Sequence, residues 1–448
     1  MAGIFRAYDV RGEVGKELDE NVAFKLGRAF ATFLGGKKEV VVGRDVRKHS
    51  PLLSKSFVDG LLSSGCDVVN IGVTSTPVVA FATRYFGYDA GVVVTASHLP
   101  AHFNGFKFFD ENANAISYES GIGEIEKIYT RGSFIEGKGR EISRTDVLRE
   151  YEAFLSSKLR FGEREFSVAV DCMHGVMGLI APNVLRNFAS SVEEVRCDAS
   201  GDFVEHEPDP SKQEHLALLM SEVKEKECDL GLAFDGDGDR LAVVDENGNV
   251  ITPTRVFSLL LENELRKREG AKVVVDFVSS LRIFELIREL GGEPVICRVG
   301  HTYITRKLLE CNAIMAGELS GHYYYRELFG LDDALFAALK LLEYFSHSSQ
   351  PLSKLVAKYE EYPMESLRVP IREDLKFKFV EDLKRKFEEM GYELDTLDGV
   401  KVVLPDGWLC VRPSNTEAKI AIVYEARNHA TFERLKRLAD EIVSSIPR

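Results

Sequence analysis

Four short loops carry residue types and spacings that could do chemistry. Asp235–Arg240 reads DGDGDR, three carboxylates at alternate positions separated by glycines. Alternation points Asp235, Asp237 and Asp239 to one side of an extended backbone, and glycine lets that backbone fold around an ion. Three close carboxylates need a counter-charge, and a hard divalent cation with oxygen ligands, Mg²⁺ first, supplies it. An EF-hand counted from Asp235 would use Glu246, but its sixth position is Arg240 where Gly is needed, and strand-like residues follow. A solvated acidic turn without metal is the plain alternative. Thr95–Lys107, TASHLPAHFNGFK, follows the apolar run Ala90–Thr95, so Ser97 and His98 sit at the carboxyl end of a strand, where open α/β sheets bind ligands. Ser97 with His98 beside it suits a nucleophile and a proton handler; taken alone it also reads as a turn before Pro100.

The third loop, Gly317–His322 (GELSGH), offers Glu318, Ser320 and His322, small polar groups that suit sugar hydroxyls or an ordinary strand-to-helix turn. The fourth, Arg412–Thr416 (RPSNT), joins a forked guanidinium to the donors of Ser414, Asn415 and Thr416, a set that suits a phosphate or a polar hairpin tip. No Walker A loop occurs, since Gly36-Lys37 is followed by Lys38, and no G-x-G-x-x-G opens a helix after a strand.

The elements that must position these loops follow a repeated pattern. Glu39–Asp45 (EVVVGRD), Phe166–Cys172 (FSVAVDC) and Ala271–Phe277 (AKVVVDF) are Val-rich runs that read as buried parallel strands. Amphipathic helices follow, the third over Ser280–Leu290 with Ile283, Leu286, Ile287 and Leu290 on one face. Further strands are expected at Val68–Ile71, Leu230–Phe234 and Ala313–Ala316. The alternation implies three related α/β domains with mostly parallel mixed sheets, near residues 1–148, 149–250 and 251–365. The remainder, 366–448, alternates strands with Asp-Gly turns (Asp398-Gly399, Asp406-Gly407) and ends in a helix over Thr431–Ile446, which predicts an antiparallel α+β domain.

Composition sets limits. Lys and Arg number 57 against 71 Asp and Glu, a net charge of −14, which argues against nucleic acid or an anionic membrane as partner. No apolar run reaches the roughly 18 residues of a membrane span; the nearest, Ala334–Phe345, is broken by Lys340 and Glu343. Met1–Gly12 lacks the apolar core of a signal peptide. Seven dispersed cysteines without a Cys-x-x-Cys pair read as reduced thiols in a cytoplasmic protein. Glutamine occurs only at Gln213 and Gln350, a composition in the direction of thermophilic proteins.

The four loops in this order, one per expected domain, resemble the α-D-phosphohexomutase superfamily, and its phosphomannomutase/phosphoglucomutase group most closely. The resemblance runs from Phe5–Gly12 (FRAYDVRG) to the RPSNT loop and includes Gly43–Asp45 with Arg47, Asp202–Pro210 (DFVEHEPDP) and Val299–His301 (VGH). It implies four domains around a central cleft and the interconversion of hexose 1-phosphate and hexose 6-phosphate, of glucose or mannose. Ser97 would carry a phosphate and pass through a hexose 1,6-bisphosphate, which also serves as activator. The same resemblance has Asp235, Asp237 and Asp239 hold Mg²⁺ together with Ser97.

Further roles follow from the resemblance. Tyr8 and Arg11 would flank the phosphoserine, with His98 beside it, and Lys107 and Arg240 would stabilise the transferring group. Lys107, His301 and His322 are the candidates for general acid and base, unranked. Glu318 and Ser320 would bind sugar hydroxyls, and Arg412, Ser414, Asn415 and Thr416 the phosphate that does not react. Three positions depart from the pattern: Leu99 where Asn is usual, Ala418 where Pro is common, and Val278 near where related bacterial enzymes place a Lys. The GELSGH loop favours glucose and mannose phosphates over amino sugars; a phosphoglucosamine mutase and a non-catalytic phosphosugar-binding protein are the alternatives. The expected partner is a small phosphosugar, and a homo-oligomer is compatible with the sequence. Arg11, Lys107, Arg240 and Arg412 would gather positive charge locally within an acidic body.

Overall fold

The computed structural model describes residues 3–414 and 418–447. It divides into two compact units, Met1–Asn263 with Ser320–Lys358, and Glu264–Leu319 with Tyr359–Arg448. The architecture is three α/β domains followed by an antiparallel-sheet domain.

In the first domain β1 (Val10–Glu13), β2 (Glu39–Arg44), β3 (Asp67–Val73), β4 (Ala90–Val94), β5 (Phe103–Phe109) and β6 (Glu141–Ser143) lie in the order β1-β5-β4-β2-β3-β6. The strands β4, β2, β3 and β6 are parallel, whereas β5 runs antiparallel to both β4 and β1. The second domain sets β7 (Ser167–Asp171), β8 (Ser191–Val195), β9 (Leu230–Phe234), β10 (Leu241–Asp245) and β11 (Val250–Ile251) in the order β11-β10-β9-β7-β8. In the third domain β12 (Lys272–Asp276) lies between β13 (Glu293–Cys297) and β14 (Met315–Gly317), all parallel. The short hairpin β15 (Tyr323–Tyr325) and β16 (Leu331–Asp332) belongs to the first unit. The last domain is fully antiparallel: β17 (Met364–Pro370), β18 (Glu393–Asp395), β19 (Val400–Leu404), β20 (Gly407–Pro413) and β21 (Lys419–Ala426), in the order β17-β21-β20-β19-β18.

The three Val-rich runs become β2, β7 and β12, each with its central residues buried. A buried Asp closes each of them: Asp45 just past β2, and Asp171 and Asp276 as the last residues of β7 and β12. Several strands escaped the periodicity, among them β5, which begins inside the expected Thr95–Lys107 loop, and the edge strands β8 (SVEEV) and β13 (EPVIC). These two edges have mostly exposed or half-buried residues, so they carry charge instead of an apolar run. The helix Leu281–Glu289 is capped by Ser280, whose hydroxyl accepts from the Arg282 amide, and buries Ile283, Leu286 and Ile287 as expected. The closing helix starts at His429, two residues before the expected Thr431, because Asn428 accepts from the Thr431 amide as its cap. Leu435, Ala439 and Ile442 on that helix pack with Val400, Leu409 and Ile422 of the sheet.

The long apolar run becomes the helix Ala334–Ser346, almost wholly buried, with Lys340 3 % and Glu343 2 % exposed. Lys340 satisfies its charge with Glu327 at 2.7 Å and Glu343 at 3.6 Å, a pairing that burial of both groups requires. No described helix is long and apolar enough to cross a membrane.

One expectation is corrected. Cys172 and Cys197 form a disulfide with Cα atoms 4.9 Å apart, so the cysteines are not all reduced. Both lie just past the ends of the paired strands β7 and β8, where Asp171 faces Val195. A 25-residue separation conceals this in the sequence. The other five cysteines are free.

Candidate active site

In the first unit, the strands deliver two loops to each other. Past β4, the chain turns at Ser97, which adopts a left-handed φ of +49° and is 3 % exposed. A non-glycine residue holds that conformation only when its surroundings determine it. The Ser97 amide donates to Thr95 Oγ1 at 2.9 Å. Its hydroxyl donates to Asp235 Oδ2 at 2.8 Å and lies 3.2 Å from His98 Nδ1.

The carboxylates gather by a turn, not by the extended alternation that their spacing suggested. β9 and β10 form an antiparallel hairpin, and Asp235 Oδ1 accepts from the amides of Gly238, Asp239 and Arg240 at 2.9, 3.0 and 3.2 Å. The turn leaves Asp235 Oδ2 for Ser97. Gly236 is required by close approach: a Cβ there would lie 2.4 Å from the Ser97 carbonyl oxygen and 2.9 Å from Pro208 Cγ.

Lys107 on β5 donates to Asp237 Oδ2 at 2.6 Å and Asp239 Oδ2 at 2.7 Å. β5 is antiparallel to β4, which sets Lys107 opposite Val93, four residues before Ser97. Thr76 Oγ1, unmarked by the sequence, donates to Asp237 Oδ2 at 2.5 Å. Arg240 Nε donates to His322 Nε2 at 3.4 Å, and its Nη1 lies 3.7 Å from Asp209 Oδ1. His322 Nε2 is also 3.3 Å from Asp239 Oδ1, and its Nδ1 lies 2.7 Å from Ser320 Oγ. Arg11 on β1 pairs with the buried Asp9, and Tyr8, 7 % exposed, precedes them.

The electrostatics follow from burial and the imbalance of charge. Burial raises the Asp235 carboxyl well above its ordinary value, and Asp239 and Asp237 add to the shift. Burial would also raise Asp239, but Lys107, His322 and Arg240 outweigh it and hold that carboxyl well below its usual range. Burial acts to lower the Lys107 ammonium, and Asp237 and Asp239 overcome it, so Lys107 stays protonated. His98 is held neutral by burial, with Arg240 and Arg11 acting in the same direction.

The carboxylates are suited to a cation. One oxygen from each of Asp235, Asp237 and Asp239 lies within 4.8 Å of the others. Asp237 Oδ1 is buried without a hydrogen bond, and Asp239 Oδ1 has only the 3.3 Å approach of His322, an arrangement that costs free energy unless a further positive group satisfies them. An all-oxygen donor set of this kind fits a hard divalent ion.

In the second unit the remaining candidates form their own group. Glu318 follows β14 and is 9 % exposed; His301 opens the helix His301–Glu310 after Gly300. Arg412, near the end of β20, donates to Asp398 Oδ2 at 3.4 Å, and the same oxygen accepts from the Val299 amide at 3.1 Å. Asp398 thereby links the VGH turn to the arginine, a role hidden in its Asp-Gly turn. Ser414 is buried, and its carbonyl accepts from Lys376 Nζ at 2.8 Å. Asn415 and Thr416 lie outside the described residues. Asp276, also unmarked, is pushed up to about 7 by burial and by Glu318.

A buried serine facing a triple-carboxylate turn, with a clamped lysine on the neighbouring strand, belongs with α/β enzymes of phosphoryl transfer. Profiles of phosphoglucomutase/phosphomannomutase alpha/beta/alpha domains I, II and III match residues 2–136, 149–248 and 252–362, and the C-terminal domain matches 367–444. The chain belongs to the phosphoglucomutase/phosphomannomutase family and is a mutase. It is 35% identical to a phosphomannomutase/phosphoglucomutase of Pseudomonas aeruginosa, over 97% of this chain and 94% of the relative. A probable phosphoglucosamine mutase of Methanopyrus kandleri is 34% identical over 100% of this chain and 98% of its own. The crystal structure of a phosphoglucomutase/phosphomannomutase family protein from Burkholderia thailandensis superposes with a TM-score of 0.90 at 32% identity, covering 99% and 97% of the two chains.

Proposed function

We propose that this mutase interconverts the 1- and 6-phosphates of glucose or mannose through a phosphoserine at Ser97 and a hexose 1,6-bisphosphate. The observation that carries the reading is the 2.8 Å contact of Ser97 Oγ with Asp235 Oδ2, inside the only described turn that presents three buried carboxylates. Ser97 would give its phosphoryl group to a sugar hydroxyl: the P–O bond to serine breaks, a P–O bond to the sugar forms, and the hydroxyl proton passes to a base. The bisphosphate then reorients and returns its other phosphoryl group to Ser97. Mg²⁺ held by Asp235, Asp237, Asp239 and a phosphoserine oxygen would offset charge on the transferring group.

Arg11, Lys107 and Arg240 are the cations of the first unit assigned to the phosphoryl oxygens. A lysine held protonated suits that stabilising and proton-donating work better than proton removal, which leaves His322 and His301 as candidates for the base. His98 stays neutral and orients Ser97. Glu318 and Ser320 would bind sugar hydroxyls. Arg412, Ser414, Asn415 and Thr416 would hold the phosphate that is not reacting.

Peptide mass spectrometry tests the nucleophile: about 80 Da of added mass is expected on Ser97, absent in Ser97→Ala together with turnover. Phosphate on another residue refutes the assignment. Assay with the 1-phosphates of glucose, mannose and glucosamine tests the sugar. Turnover of glucosamine phosphate alone overturns the proposed choice in favour of an amino-sugar mutase.

A further inference from the structure

Arg47 touches no group that would react, yet every donor on its guanidinium is committed. Its Nε donates to Asp45 Oδ2 at 3.2 Å. One terminal nitrogen donates to the carbonyls of Pro100 and Phe103 at 2.8 and 3.2 Å, and the other to those of Ser97 and Leu99 at 2.7 and 2.6 Å. A guanidinium has five N–H groups, and here four of them bind carbonyls of one loop, Ser97–Phe103. The side chain is fully buried. Asp45 is fixed in turn by the Arg47 amide at 3.0 Å and by Ser50 Oγ at 2.5 Å. Phe203, from the DFVEHEPDP segment, covers the guanidinium with its ring centroid 4.8 Å away.

The loop that Arg47 holds is the one in which Ser97 adopts its left-handed backbone. That conformation is strained in an L-residue and persists only where the surroundings impose it. Gathering the four carbonyls on one rigid, planar cation closes the loop and aims Ser97 Oγ at Asp235. A lysine could not do this, because an ammonium has three donors and no fork.

We infer that Arg47 is a positioning residue for phosphoryl transfer: its five-donor fork, covered by Phe203, imposes the Ser97 conformation from which the phosphoryl group is passed. The inference rests on the assignment of Ser97 as nucleophile. It also gives the Gly43–Asp45/Arg47 motif and the Asp202–Pro210 segment a shared purpose, since one supplies the fork and the other its cover.

The test uses Arg47→Lys in the full-length, metal-loaded enzyme. Positioning predicts a fall in kcat of about 10²-fold, the size expected when a reacting atom is misplaced by about 1 Å, with KM for the sugar phosphate within about threefold. It also predicts slow appearance of phosphate on Ser97 after mixing the dephosphorylated variant with glucose 1,6-bisphosphate, followed by intact mass. Restoring kcat in Arg47→Ala with added guanidinium ion is a further expected result. A folded Arg47→Lys enzyme with wild-type kcat and wild-type Ser97 phosphorylation overturns the inference and leaves the Ser97 assignment standing. Phosphate found on a residue other than Ser97 in the wild type defeats that assignment instead. Should Arg47→Lys fail to fold, Phe203→Leu removes the covering ring and keeps the fork. Slowed Ser97 phosphorylation at unchanged KM then supports positioning, and unchanged phosphorylation refutes it.

Discussion

Replacing Asp276 by Asn changes stability in a pH-dependent way whose sign and size can be worked out. Asp276 ends β12 and is 2 % exposed. Its Oδ1 accepts from the Val278 amide at 3.0 Å and Ser279 Oγ at 2.8 Å. Burial and the Glu318 carboxylate raise it from 3.8 to about 7, against the help of Ser279 and Arg412. In the unfolded chain an aspartate titrates near 3.9. Between roughly pH 4 and 7 the folded protein therefore keeps a proton that the unfolded chain has released, and stability falls as pH rises through that window. The cost is absent below the window and complete above it. At 1.36 kcal/mol per pH unit, a displacement of about three units corresponds to roughly 4 kcal/mol. Asn keeps the Oδ1 acceptor and removes the charge. Thermal unfolding midpoints of the two proteins should coincide near pH 4 and separate progressively, with Asp276→Asn the more stable by about 2–4 kcal/mol at pH 8. Midpoints that stay parallel from pH 4 to 9, or a variant less stable throughout, would refute the burial argument.

Three further outcomes are expected. Asp237→Asn should weaken Mg²⁺ affinity at least about tenfold, the loss that even an outer partner of a metal ligand causes, and chelation should abolish turnover reversibly; isothermal titration and assay with EDTA followed by Mg²⁺ check both. Gly236→Ala should cost about 1–3 kcal/mol by overpacking, since its methyl group meets the Ser97 carbonyl oxygen at 2.4 Å; equal urea midpoints would contradict the close approach. Alkylation of denatured, unreduced protein should modify the five free cysteines and spare Cys172 and Cys197; modification of all seven would show that the pair is reduced.

What could be read in the chain was local. β9 was legible to the residue, because Leu230–Phe234 is a continuous apolar run. The Asp-Gly turns and the three Val-rich strands were legible for the same reason, each being determined by neighbours within a few positions, whereas DGDGDR was legible as a carboxylate cluster but not in its turn geometry. The order of the four loops carried the resemblance to the phosphohexomutases, and the net charge of −14 argued against nucleic acid while saying nothing of where Arg11, Lys107 and Arg240 meet. Those meetings were decided by the fold. Ser97 and Asp235 are 138 residues apart, and Lys107 is 130 from Asp237. Arg47 stood in the sequence as part of the Gly43–Asp45 motif, but the four carbonyls that it gathers lie 50 to 56 residues further along the chain. Cys172 meets Cys197, and Asp398 meets Arg412, by the same rule. Periodicity and turn chemistry are properties of short segments, so sequence determines them. A hydrogen bond between distant segments exists only after sheets have set the register, and burial then makes each unmatched donor or charge costly enough to select one partner.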